Sequence, residues 1–384
     1  MSAADWRRAM NAQAVAAVPA ARRDRLAPRL AAAGPAGSGA APAPALSPSW
    51  AARIGARIGA RHVVVLAAAI LYPFVASPFF TYQIGAQSLA LGLIALSLTF
   101  LGGYGGMVSL AQMTIAGVAG YGVAILGTSS VATVSLGWPW PVAVAIALAS
   151  ATVLAAAIGW LSVRTEGIYT IMITLAIGVA FFYLAQQNYT VFNGFSGFSK
   201  IAAPELFGVD WREPVPFYFL ALATALAGYG FVRHLVRAPF GVALQGIRDN
   251  PRRMASLGFH VTAHRVAAYA VAGFLAAVGG VLMAWYNGRI SPGTINLAQM
   301  IAILIIAVLG GMKHPIGAFI GAIVYVLLQN FAIDLVVRER FNLVIGGVFL
   351  AIVLFSPDGL LGLWAMLRSR LGRPLLAHSQ RRQP

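Results

Sequence analysis

Three groups of residues in this chain have the types and spacing to do chemistry. The first is the segment running from Arg237 to Gly258. Pro239 can open a short helix that ends near Arg248. Asn250 is a good N-cap, and Pro251 suits the first helical position that follows it. A second helix of about seven residues would stop at Gly258, a favourable residue just past a helix end. A solvated connector needs no such punctuation. The pattern fits a docking element for another protein, or a helix held on a membrane surface through Arg252 and Arg253. The second group is neutral and polar: Gln87, Ser88, Ser109, Gln112, Thr114, Thr170 and Thr174 lie inside apolar stretches. Such side chains either hydrogen-bond helix to helix or line a polar path. The third group is small. Gly317 and Gly321 form GxxxG, while Ala116, Gly120 and Ala124, and again Ala276, Gly280 and Ala284, recur at four-residue spacing. Stripes of this kind let helix backbones approach closely.

What is missing narrows the chemistry. The sequence has no cysteine, so there is no disulfide, thiolate metal site or cysteine nucleophile. It has no HExxH and no GxxxxGK[ST] phosphate loop. No Asp, Glu, Lys or Arg falls near the middle of an apolar stretch. An intramembrane charge is the usual marker of an ion or proton relay, so its absence weighs against ion-coupled transport and against an intramembrane hydrolase. No metal site is expected.

The elements that must position these residues follow from composition. Of 384 residues, 59% are hydrophobic and only 10% charged, against about 25% charged in a soluble domain. An ordinary soluble enzyme is excluded. A nucleic-acid binder is excluded too, because the basic residues are scattered between apolar blocks rather than gathered on one domain. Ten apolar stretches reach or approach the about 17–25 residues that cross a bilayer. They run over 63–80, 84–101, 107–127, 138–161, 168–186, 214–232, 266–286, 297–312, 316–334 and 341–363. The sequence therefore predicts an all-α polytopic membrane protein of about ten transmembrane helices, some short or broken. The stretches at 107–127 and 297–312 are candidates for re-entrant or broken helices. Residues 1–61 are rich in Ala, Pro and Arg and are expected to be a disordered cytoplasmic tail, with a second basic tail over 366–384.

Orientation follows from the cations. Ten spans put both termini on one side, and that side then carries 22 of the 27 basic residues. The five left on the other side are Lys200, Arg212, Arg289, Arg338 and Arg340. Acidic residues split evenly, so the whole net charge of +17 belongs to the first side, which is expected to be cytoplasmic. The outward loop 187–213 is the largest on its side and reads as a docking surface or as a lid over the bundle.

The run Gly241-Val-Ala-Leu-Gln-Gly-Ile-Arg-Asp-Asn-Pro, then Ala255-Ser-Leu-Gly-Phe, resembles the cytoplasmic loop of LivM-type permeases, membrane subunits of branched-chain amino acid ABC importers. Further stretches resemble that family in the same order: Gly102-Gly-Tyr-Gly-Gly-Met-Val-Ser-Leu-Ala-Gln, Thr174-Leu-Ala-Ile-Gly, Asn193-Gly-Phe-Ser-Gly, Val308-Leu-Gly-Gly, Gly317-Ala-Phe-Ile-Gly-Ala and Phe355-Ser-Pro-Asp-Gly-Leu. The resemblance covers about residues 65–365. It implies a permease domain over 62–365, similar to type II ABC importers, in the inner membrane of a bacterium. The partners it implies are a second permease of LivH type, two ATPase subunits that carry ATP and magnesium, an extracytoplasmic substrate-binding protein and the lipid bilayer, with no nucleic acid. This chain would hold no cofactor and catalyse nothing itself. The loop 233–264 becomes the ATPase-coupling element, with Gly241, Ile247, Arg248, Asp249, Asn250, Pro251, Leu257 and Gly258 as its residues. Ser109, Gln112, Thr174, Asn193 and Gly194 are expected along a substrate path, and Gly117, Gly120, Gly310, Gly311, Gly317 and Gly321 at helix packing contacts.

The sequence departs from the family pattern at Ala302 and Val179, where glutamates are common, at Met312-Lys313-His314, and at Ala111-Gln-Met-Thr. These departures leave the solute open among branched-chain amino acids, urea, other amino acids and small amides or carboxylates.

Overall fold

The computed structural model describes residues 60–131, 134–165, 167–201, 203–206, 209–335, 346–347, 350 and 359–362. The expected tails, 1–61 and 366–384, fall almost wholly outside the described residues, and so does most of the tenth expected span. The chain divides into two units, Met1–Val63 and Val64–Pro384, and the helical bundle belongs to the second.

Eleven helices matter to the site. They are α1 (Ala60–Val75), α2 (Phe80–Tyr104), α3 (Gln112–Leu126), α4 (Trp140–Ser162), α5 (Ile168–Gln187), α6 (Pro214–Arg237), α7 (Pro239–Asp249), α8 (Pro251–Ser256), α9 (Val261–Asn287), α10 (Leu297–Gly310) and α11 (Pro315–Leu335). Each of the first nine expected spans falls on one of them. Their lengths differ from expectation, however. Five helices among the described residues, α2, α4, α5, α6 and α9, are long and apolar enough to cross a membrane. A sixth span results if α10 and α11, bent by 117° at the break between them, are taken as one. Among the described residues the count of ten full spans is thus not confirmed. At about 1.5 Å per residue, α3 with 15 residues and α10 with 14 are too short to cross about 30 Å of hydrocarbon.

The core forms around α2 and α9. Helix α2 is apolar on every side, and Leu93, Ile94, Ala95 and Leu96 are all fully buried, as expected of a helix at the centre of a bundle. It begins and ends in π-helical turns, Phe80–Ala86 and Phe100–Tyr104. Helix α9 packs against α4, α3 and α2. Small residues set the spacing. Ala143, Ala147, Ala151 and Ala155 form a buried four-residue stripe on α4, and a Cβ on Gly273 of α9 would overlap that of Ala155. A Cβ on Gly280 would overlap the Ala116 carbonyl of α3. The opposite face of α4 leaves Val142, Val153 and Trp160 exposed, which suits lipid.

Among the described residues there are four strands of two residues each: β1 (Phe198–Ser199), β2 (Glu205–Leu206), β3 (Val209–Asp210) and β4 (Arg289–Ile290). β2 pairs with β3 as a hairpin, whereas β1 pairs antiparallel with β4, Phe198 opposite Ile290 and Ser199 opposite Arg289.

Candidate functional site

Two sites stand at opposite ends of the bundle, and the chain builds them differently. At one end the segment 237–258 forms the corner that its sequence predicts. Pro239 opens α7 and Pro251 opens α8. The Asn250 side chain accepts a hydrogen bond from the Arg253 N–H at 3.0 Å, capping α8. Helix α8 ends at Ser256, and Gly258, with φ of +89°, turns the chain away. Helix α7 buries Gly241, Ala243, Leu244 and Ile247, so its outer face carries Arg248 and Asp249. The two form an ion pair at 2.9 Å, and Arg248 Nη1 donates to the Gly103 carbonyl at 2.6 Å. Gly103 lies in the last turn of α2. Leu257 is exposed.

The cations of this end gather on one face. Arg248 and Arg265 line a shared cavity of about 230 Å³ with Ser162, Thr165 and Gly167. The Lys313 carbonyl accepts from the Tyr104 hydroxyl. Arg233 and Arg237 close α6, and Arg252 and Arg253 sit on α8. Arg164 follows α4 directly. Among the described residues, then, Arg164, Arg233, Arg237, Arg248, Arg252, Arg253, Arg265 and Lys313 share one end, leaving Lys200, Arg212 and Arg289 at the other.

At the other end a cavity of about 210 Å³ opens between α2, α3, α9, α10 and α11. Gln87, Leu91 and Ile94 of α2, Met113, Ala116 and Gly117 of α3, and Gly280, Met283, Ala284 and Asn287 of α9 form three sides. Arg289, Ile290, Gly293, Thr294, Gln299, Tyr325 and Gln329 complete it. Carboxamides dominate its polar wall, and no carboxylate lines it among the described residues. The Gln87 Oε1 is buried with no hydrogen-bond partner, so an acceptor stands ready for a donor on a solute. Arg289 is the one cation in the wall. Such a cavity favours neutral, zwitterionic or anionic solutes over cations, and its volume is below the about 300–1,000 Å³ of pockets for drug-sized ligands.

The five residues expected along a substrate path do not line this cavity. Ser109, Gln112 and Thr174 are buried in the bundle. The Ser97 hydroxyl donates to Gln112 Oε1 at 2.9 Å, and the Leu110 N–H donates to Thr174 Oγ1 at 3.1 Å. Asn193 and Gly194 form a left-handed turn, closed by the Asn193 amide donating to the Gly197 carbonyl at 2.6 Å. Of the packing glycines, Gly310 meets Gly317 backbone to backbone, Gly321 meets the Ile306 carbonyl, and Gly117 and Gly120 face the side chains of Ile295 and Ile290. Gly311, at φ of +100°, breaks the chain between α10 and α11. Gln299, Gln329, Asn287, Thr294 and Arg289 of the cavity wall were not anticipated. Their one signal is the presence of Gln in stretches otherwise apolar. Among the described residues, no three His, Cys, Asp or Glu side chains converge as metal ligands.

Comparison with known proteins agrees with this architecture. The profile of a family described as "Branched-chain amino acid transport system / permease component" matches residues 80–353. The high-affinity branched-chain amino acid transport system permease protein LivM of Escherichia coli K12 is 25% identical, the match covering 78% of this chain and 74% of that protein. The LivH permease protein of the same organism is also 25% identical, over 70% of this chain and 90% of its own length. A nucleoside ABC transporter permease, NupC of Lactococcus lactis, is 31% identical over 30% of this chain and 35% of its own. No solved structure matches.

Proposed function

The chain belongs to the family of branched-chain amino acid transport system permease components, and from that premise we propose that it forms half of the path of an ATP-driven importer and couples that path to separate ATPase subunits. The observation that carries this reading is a single helix that meets both sites. Arg248 ties the α7–α8 corner to Gly103 at one end of α2, and Gln87, Leu91 and Ile94, from its first half to its middle, line the solute cavity. A displacement of the corner by an ATPase is therefore delivered to the cavity along one buried helix. In this reading Gly241, Ile247, Arg248, Asp249, Asn250, Pro251, Leu257 and Gly258 shape the docking corner, and ATP and magnesium stay on the partners. Partner binding works by favouring one facing state over the other.

The remaining assignments follow. The cation-rich end faces the cytoplasm of a bacterium, both termini lie there, and the opposite end receives an extracytoplasmic binding protein. A second permease of LivH type completes the path. The solute is a branched-chain amino acid or a related small polar molecule, since the cavity is small and carries carboxamides with one arginine. The path runs through this cavity, which Ser109, Gln112 and Thr174 do not line.

The test is co-purification from detergent of this chain with the ATPase and permease products encoded beside it, repeated with Arg248, Asp249 and Asn250 changed to alanine. Retention of the ATPases by the wild type and its loss in the triple variant supports the reading. Equal retention by both moves the docking site elsewhere. Transport by this chain alone, with no ATPase bound, overturns the importer reading.

A further inference from the structure

Solute transport leaves one groove on the cation-rich end without a role. It lies between the end of α4 and the start of α9, measures about 750 Å³ and is open. Its wall is apolar, formed chiefly by Trp160, Phe259, Val261, Val266, Ala267 and Ala270. Trp160 is 55% exposed and Phe259 39%. Large apolar side chains grouped in this way mark a binding surface. The rim is cationic. The Arg164 guanidinium lies 4.1 Å over the Trp160 ring, at the level where tryptophan and arginine anchor a helix in the headgroup layer. Arg252 precedes Ala255, itself part of the wall, by three residues and so shares its helix face. Asp249, the acidic side chain described at this end, is already paired with Arg248.

A groove that is apolar along its length and cationic at its mouth has the shape of one ligand class in a bilayer. We propose that it binds an anionic phospholipid, with an acyl chain along Trp160, Val266 and Ala270 and the headgroup phosphate at Arg164 and Arg252. The lipid also braces the docking corner. Phe259 meets the His264 ring edge-on at 5.7 Å, and His264 stacks on Phe240 at 5.8 Å. Phe240 sits in the first turn of α7. An empty groove leaves Phe259 unsupported on one side, and that freedom passes through two ring contacts to the helix that docks the ATPase.

The binding half of this proposal stands on the chain alone, and the bracing half rests on the importer reading. Binding is measured by native mass spectrometry of the purified chain from bilayers of phosphatidylcholine and phosphatidylglycerol. The wild type should keep phosphatidylglycerol in preference. Arg164→Gln should cut that retention about five-fold, the effect of one arginine near an anionic surface. Ala267→Trp, which fills the groove without touching its charge, should cut it at least as far. Lys313→Gln removes a cation from the same end away from the groove and should not. No preference in the wild type overturns the proposal, as does wild-type retention by both groove variants. An equal loss with Lys313→Gln overturns it as well, by reducing the effect to diffuse surface charge. Bracing is then read as ATPase turnover of the assembled transporter in nanodiscs of either lipid. Turnover should rise several-fold with phosphatidylglycerol in the wild type and not in Ala267→Trp. Equal turnover in both lipids, with binding intact, refutes the bracing half.

Discussion

At the cation-rich end, the hydrogen bonds that shape the α7–α8 corner are close in sequence. Asn250 caps the helix it begins, reaching Arg253 three residues on. Arg248 pairs with its neighbour Asp249, and Gln245 donates to the Gly241 and Val236 carbonyls. At the opposite end they are distant. The Tyr82 hydroxyl donates to the Tyr286 carbonyl at 2.7 Å while the two rings stack 4.7 Å apart, and the Tyr286 hydroxyl returns to Gln83 at 2.9 Å. Ser130 N–H reaches the Ser199 carbonyl, and Ile201 N–H reaches that of Gly288. The α7–α8 corner is thus shaped by local bonds, packs on the bundle through Ala243, Leu244 and Ile247 and is tied to α2 by Arg248. The outer rim exists only once the whole bundle has assembled. A damaged bundle should therefore lose its solute cavity before it loses the two short helices of the corner.

The largest effect expected from this contrast is one of sidedness. The chain is free of cysteine, so Arg253→Cys and Lys200→Cys each introduce a single thiol. A membrane-impermeant maleimide should label Cys at 200 from outside intact cells and Cys at 253 only after they are opened. Labelling of both from one side would destroy the comparison. Next comes the packing of α9 on α3. Gly280→Leu drives a side chain into the Ala116 carbonyl, in the wall of the cavity itself, and should cost about 1–3 kcal/mol or more by overpacking. The melting temperature in detergent should fall, and both ends should fail together. ATPase retention that persists while solute uptake is lost would show the ends to be independent. Smaller still is Gln87→Leu, which removes the unpaired acceptor from the cavity. The loss of one hydrogen bond, about 1 kcal/mol, predicts roughly a five-fold rise in the solute concentration for half-maximal uptake, with ATPase retention unchanged. The smallest is Asn250→Ala. Loss of the cap costs the helix about 1 kcal/mol, visible as faster hydrogen exchange over 251–256 with uptake only modestly lowered.

The same contrast explains what was legible beforehand. Pro239, Asn250, Pro251 and Gly258 act within a turn or two of themselves, so the corner could be read from spacing, down to the turn at Gly258. The apolar runs gave the helix positions for the same reason. Which apolar runs form full-length helices could not be read. Hydropathy registers that residues 107–127 and 297–312 are apolar, not that the helix begins only at Gln112 or that Gly311 stops it after Gly310. Nor could the cavity. Gln87 stood out as polar in an apolar stretch, but its partners in the wall, Asn287, Gln299 and Gln329, come from three other helices about two hundred residues away in sequence. Ser109, Gln112 and Thr174 looked equally suited to a polar path. What separates them from Gln87 is that none of the three lines the cavity, a fact of packing rather than of composition.

The two-residue strand β1 has a mechanical meaning out of proportion to its size. Its partner β4 carries Arg289 and Ile290, both in the cavity wall. Gly197, at φ of +63°, lets the chain approach so closely that a Cβ there would overlap the Ile290 carbonyl. The outer loop is therefore riveted to the rim of the cavity instead of resting on it. Any force applied to that loop, whatever applies it, arrives at Ile290 as tension across peptide hydrogen bonds, with no compliant side chain in series. A pull on the loop therefore acts on the cavity wall through the backbone of Ile290 itself.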